Sequence, residues 1–226
     1  MNTTIATHQP NYIPWIGFFY KIYRVNVFVF LDDVQFSKKG AHNYHYLKTP
    51  EGSVKIKIPV KHSYHDPINK VKTNDKGGWK ERHLKLLEKN YSEAKYFKQV
   101  YKDFESLITP EYNNLAEQNI EIVKFICSKF NFKTKFVKSS ELEITSKSEQ
   151  RIIDICKKLD GEVYYSGRGA KAYQNEENFL SQGVELVYDD FEPIEYIQLN
   201  PGFQANVSIL DYLMNHGYDW EGYINN

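Results

Sequence analysis

The chain has 226 residues, 41% of them apolar, and its 29 lysines and arginines balance 29 aspartates and glutamates to a formal net charge of zero. That length and apolar content suffice for one well-filled core; the charge balance argues against a protein that coats nucleic acid, and 18 tyrosines with 14 phenylalanines exclude a solvated, disordered chain. Cys127 and Cys156 read as buried thiols of a reducing compartment, and with no signal-like start and no apolar run of transmembrane length the expectation is a cytoplasmic protein without membrane insertion.

In chain order, Thr3–Thr7 is a short strand, and His8–Pro14 gives up regular structure where two prolines remove backbone donors. A helix is expected from about Pro14. Val27–Leu31 is too apolar for an edge strand and is closed by Asp32-Asp33. Strand, polar loop, helix, strand opens a parallel α/β unit, whose ligands bind outside the carboxyl ends of the strands. Phe36–Lys48 is polar and aromatic; Ser37-Lys38-Lys39-Gly40 within it suits either an anion cradle or a solvated face. Val54–Val60 alternates as a half-exposed strand, and His62–Asn74 reads as a long loop.

Trp79–Glu88, interrupted at Asn90-Tyr91-Ser92, then Tyr96–Ile108 and Leu115–Phe130 are three helices by apolar spacing. They form a small helical lobe over 79–130. Phe132–Val137 is a strand, and Ser148–Leu159 a helix ended by a left-handed Gly161. Val163–Tyr165 is a strand that turns at Ser166-Gly167-Arg168-Gly169. A helix over Tyr173–Ser181 and a strand over Val184–Tyr188, closed by Asp189-Asp190, repeat the opening pattern. Val207–Asn215 is a last helix. The whole reads as one α/β domain over 1–226, three-layer αβα with a mainly parallel sheet, carrying the helical lobe within it.

Several groups suit chemistry. His42-x-x-His45 and His62-x-x-His65-Asp66 have the residue types of a metal site. Both lie in loop or strand surroundings, where residues three apart diverge, so no metal ligands are assigned. Walker, GxGxxG and GxSxG motifs are absent. His8, Gln9 and Asn11 stand before a helix start whose free N–H groups favour an anion, although Asn11 also suits a simple turn. Asp32 and Asp33 suit proton removal from an amine or Mg²⁺ binding, or else a cap. Ser166 and Arg168 suit a phosphate contact. Adding Gln35, Lys38, Asn43 and Arg151, with Trp79 and Tyr173 as stacking walls, defines one expected cleft at the strand ends.

Four long blocks in order are HQPNYIPWIGFFYKI running into VFVFLDDVQFSKKG and Asn43, WKERHLKLLEKNYSEAKYF, SEQRIIDICKKL with YYSGRGAKAY, and GFQANVSILDYLMNHG. Through them the chain resembles the WbqC-like family over almost its whole length. Ala41-His42 depart from the bulkier residues that relatives often carry there. The resemblance implies surface polysaccharide assembly, as in O-antigen biosynthesis, and transfer of a small acyl or aminoacyl group, glycyl being one suggestion, to the amine of a nucleotide-linked amino sugar. The alternative is a non-catalytic carbohydrate-binding or assembly protein. The strand–loop–helix order also looks distantly like nucleotidyltransferases, which implies ATP and Mg²⁺ as cofactors of an adenylate route. Only His8 of the histidine pair of that class is present. In that scheme His8 stabilises the leaving group, and Asp32 or Asp33 takes the amine proton or holds Mg²⁺. Lys38, Arg168 and the helix start near Pro14 hold phosphates.

Overall fold

The structure, a computed structural model, describes residues 2–225. The chain divides into two units. The first takes the chain through Gln9, Gly17–Val34 and Phe132–Glu192; the second takes Pro10–Ile16, Gln35–Asn131 and the chain from Pro193 onward.

The first unit contains β1 (Thr4–His8), most of α1 (Ile16–Tyr23) and β2 (Val27–Phe30). It continues with β3 (Lys135–Lys138), α2 (Ser148–Lys158), β4 (Val163–Ser166), α3 (Glu176–Ser181) and β5 (Glu185–Tyr188). The five strands stand in the order β3-β2-β1-β4-β5, and every pairing is parallel. Ile5 is the hinge of the register, opposite Val27 on one side and Tyr164 on the other. The order runs outward in both directions from β1, which makes the gap between β1 and β4 the topological switch point.

Side chains alternate across the sheet, and both faces are covered. On one, Ile5, Val27, Val29 and Tyr164 pack with Ile153 and Cys156 of α2 and Phe179 of α3; Tyr164 stacks on Phe179 with ring centroids 5.7 Å apart. On the other, Phe28 and Phe30 meet Phe18 of α1 and Phe136 of β3, with centroids 5.1 to 6.4 Å apart. This double cover is why Val27–Phe30 is buried at every position and why it carries no polar alternation. The unit is thus the expected three-layer α/β arrangement.

Two local expectations change. The left-handed residue after α2 is Asp160, with φ of 53°, whereas Gly161 is needed because a Cβ there would run into the Ile5 side chain. Helix α3 starts at Glu176, not Tyr173, because Asn175 caps it by accepting from Glu177 N at 3.0 Å.

The second unit holds an antiparallel hairpin, Tyr44–Thr49 with Gly52–Lys57, and a two-residue ribbon of Val60–Lys61 with Lys72–Thr73. Its helices span Trp79–Tyr91, Phe97–Ile108, Leu115–Lys129, Ile209–His216 and Trp220–Ile224. The three helices of the 79–130 stretch therefore share a unit with the hairpin and the tail. The first runs through Asn90, whose side-chain amide donates to Leu86 O at 2.7 Å, so the residue expected to break the helix is accommodated in it. A buried polar network orders the tail. Asp211 accepts from Tyr91 OH and Tyr196 OH, each at 2.9 Å, and from Gln198 Nε2 at 2.8 Å. Gln198 Oε1 in turn accepts from the buried Lys48 Nζ at 2.8 Å. No helix among the described residues is long and apolar enough to cross a membrane.

Candidate functional site

At the carboxyl end of the sheet in the first unit lies a cavity of about 750 Å³, within the range of small-molecule sites. The end of β1 contributes Thr7, His8 and Gln9, and the end of β4 contributes Ser166 and Gly167. Ser148 and Glu149, from the first turn of α2, close another side, with Tyr173 and Gln174 from the turn that follows β4. The cavity therefore occupies the switch point, where adjacent loops leave the sheet in opposite directions and open a crevice.

Each polar group has a definite setting. His8 Nδ1 lies 2.9 Å from Gln9 O, and its ring stands edge-on to Phe18 at 4.9 Å. A carbonyl only accepts, so in the neutral ring Nδ1 carries the proton and Nε2 the lone pair. Thr7 Oγ1 and Tyr164 OH are 2.9 Å apart; burial pushes the Tyr164 phenol up to about 12, so it stays a neutral hydroxyl near neutrality. Ser166 Oγ donates to Gln174 Oε1 at 2.7 Å. Glu149 accepts from Asn175 N at 2.6 Å and from Asn178 Nδ2 at 2.5 Å, which fixes the turn before α3 against the start of α2. Lys21, from α1, also lines the cavity and donates to Thr7 O at 3.0 Å. Burial lowers its ammonium to about 8, against the opposing pull of Asp189.

Of the expected site residues, His8, Gln9, Ser166 and Tyr173 line this cavity. Asp32 and Asp33 are not among its lining residues. Asp32 is 3% exposed and accepts from Ser140 N at 3.0 Å and Ser140 Oγ at 2.7 Å, anchoring the turn after β3. Both oxygens of Asp33 accept from Arg151 Nη2 at 2.7 Å. These carboxylates are engaged with protein donors, and among the described residues no group of three or more His, Cys, Asp or Glu side chains is placed to hold a metal ion. Arg151, expected in the same cleft, is the ion-pair partner of Asp33. Arg168 lies outside the lining as well, donating to Asp189 O at 2.7 Å and to Glu192 Oε1 at 2.5 Å.

The remaining candidates belong to the second unit, so the eleven polar residues expected in one cleft divide between two units. Gln35 and Lys38 border a cavity of about 610 Å³ with His62, Tyr64 and His65. Asn43 is buried and donates to Ile58 O at 2.8 Å, a role in holding the hairpin base. Asn11 keeps its side-chain oxygen buried. Trp79 corrects an expectation outright: it is 1% exposed and packs edge-on to Tyr12 and His83, a core side chain rather than a stacking wall. Sequence reasoning missed Lys21, Thr7, Tyr164 and Glu149. The available signal was Lys21 itself, a single lysine inside the apolar run Phe18–Ile22.

Fold and cavity together define a doubly wound α/β protein with a polar-edged cavity at its switch point. The WbqC-like protein family matches residues 9–221. A Mycobacterium tuberculosis protein, Rv1507c, of uncharacterized function, is 31% identical over 224 residues, covering 97% of this chain and 96% of the relative. The chain belongs to the WbqC-like family. No solved structure matches it, and the likeness to nucleotidyltransferases rests on element order alone.

Proposed function

We propose that the chain transfers a small acyl or aminoacyl group, with glycyl a candidate, to the amine of a nucleotide-linked amino sugar in surface polysaccharide biosynthesis. Membership of the WbqC-like family supplies the substrate area. The observation that carries the reading is the cavity at the switch point, sized for such a ligand and edged by directional donors and acceptors on Gln9, Ser166 and Gln174.

In the reaction the sugar amine attacks the acyl carbonyl, the C–N bond forms, the bond to the activating group breaks, and the nitrogen loses one proton. His8 is the proton acceptor in this scheme, since the lone pair of its neutral ring sits on Nε2. That differs from the leaving-group role expected from sequence. It also follows from the engagement of Asp32 and Asp33 with Ser139, Ser140 and Arg151. Gln9 and Ser166 orient the sugar. ATP, where it is drawn on, supplies activation of the donor carboxyl; no step here is routed through Mg²⁺.

The test is mass spectrometry of a 4-amino-sugar nucleotide incubated with the protein, Mg²⁺, and either glycine plus ATP or a panel of activated acyl donors. An amide product that disappears in folded His8→Ala protein is the expected result. Full activity of that variant removes the role of His8. Binding of an intact sugar ligand with no amide from any donor assigns a carbohydrate-binding role instead.

A further inference from the structure

Lys21 is 7% exposed, yet no carboxylate among the described residues forms an ion pair with it. An ammonium has three protons to donate. One goes to Thr7 O at 3.0 Å, and the group faces a cavity of about 750 Å³. Asp189 pulls on the ammonium, but no acid among the described residues stands at ion-pair distance from it, and those nearby accept from uncharged donors. Asp189 accepts from Tyr165 OH at 2.9 Å and Phe191 N at 2.8 Å, while Glu149 is taken by Asn175 and Asn178. A buried cation without a paired anion costs several kcal/mol of desolvation, and a leucine or methionine at this helix position would pack without that cost. The arrangement makes sense when a ligand brings the missing charge.

We infer that Lys21 is the counter-charge for an oxyanion, a phosphate or carboxylate carried by the ligand, bound in the cavity between the ends of β1 and β4. The cavity is suited to such a group on other sides as well. The first turn of α2 lines it at Ser148 and Glu149, bringing backbone N–H groups with no partner inside the helix. Gly167 and Gly169 line it too, with open space where a Cβ would stand, so a bulky anion can approach the backbone. Thr7 O holds the ammonium in place from the strand side, which leaves its other two protons for the ligand. The inference rests on the proposed function only in placing the ligand in this cavity; it does not depend on acyl transfer.

The experiment compares the parent protein with Lys21→Met by calorimetry against inorganic phosphate, uridine diphosphate, glycine and an unphosphorylated amino sugar. Affinity for whichever oxyanion binds should fall roughly 30-fold or more, the usual effect of removing one partner of a buried charge pair, while affinity for the unphosphorylated amino sugar should not fall. Loss confined to phosphate and uridine diphosphate assigns a phosphate; loss confined to glycine assigns a carboxylate. The melting temperature of the variant should hold or rise, because an unpaired buried charge has been removed; a Lys21 that served only to tie α1 to β1 would lower it. Equal oxyanion affinity in parent and variant overturns the inference. In the unaltered protein, reductive methylation of Lys21 read by mass spectrometry should slow at least severalfold when uridine diphosphate or acetate, a carboxylate with no amine to consume the reagent, is saturating, and an unchanged rate with both overturns it as well. Oxyanion binding lost in Lys21→Met while the parent protein gives no acylated product would overturn the transfer reaction and leave this site standing; acylation by the parent with equal oxyanion affinity in parent and variant would do the reverse.

Discussion

Acidification should strip most of the stability from the second unit, and three histidines set the size of the effect. His42, His45 and His83 are 0%, 8% and 3% exposed. Burial holds each imidazole far below its usual 6.5, at about 4. For His83 the charge of Arg82 adds to this, while the backbone at Lys57 opposes it. An unfolded chain takes up a proton on each ring as the pH falls through 6.5, and the folded chain refuses it until about 4. The unfolded state then binds more protons, so this stability is complete above the unfolded value and is lost as pH falls toward the folded one. At about pH 5 the difference amounts to roughly 2 kcal/mol per ring, or about 6 kcal/mol for three, comparable with the whole stability of a typical domain. Trp15, Trp79 and Trp220 all belong to the second unit, so tryptophan fluorescence during urea unfolding reports on it. Between about pH 6 and pH 5 the extrapolated stability should fall by roughly 3 to 4 kcal/mol, and His42→Leu should reduce that slope by about a third. A urea midpoint unchanged from about pH 7.5 to pH 5 would refute the reasoning.

Asp211→Ala leaves Tyr91 OH, Tyr196 OH and Gln198 Nε2 without their shared acceptor, and should cost roughly 3–5 kcal/mol in urea unfolding monitored by fluorescence; a cost under about 1 kcal/mol would mean that the network does not order the tail. Asp32→Ala should cost roughly 1–3 kcal/mol by thermal melting, because Ser140 N and the Ser140 hydroxyl lose their acceptor. The folded fraction should keep its turnover of an amino-sugar nucleotide; lost turnover at unchanged stability would return Asp32 to the chemistry.

The parallel α/β character was legible because buried strands and helices advertise themselves by period. Val27–Leu31 is apolar at every position, as a strand covered on both faces must be, and Ser148–Leu159 presents Ile152, Ile153, Ile155 and Cys156 at helical spacing. That His8, Gln9 and Ser166 line one cavity follows from a rule about where strands end, which needs only chain order. The strand Tyr44–Thr49 was hidden because aromatic and polar residues occupy both of its faces: His45 and Lys48 are buried while Tyr46 is exposed. Other features depend on partners remote in sequence. Trp79 looked like a stacking wall until Tyr12 and His83 enclosed it. Asp33 looked like a free carboxylate until Arg151, 118 residues away, took both of its oxygens. Lys21 showed the reverse: a residue type that is usually solvated is buried here beside a cavity, because α1 packs its lysine against the carbonyl end of β1. Period and residue type report what one element does with its own faces, whereas the free energy of a charge depends on what the rest of the chain brings within a few ångströms of it.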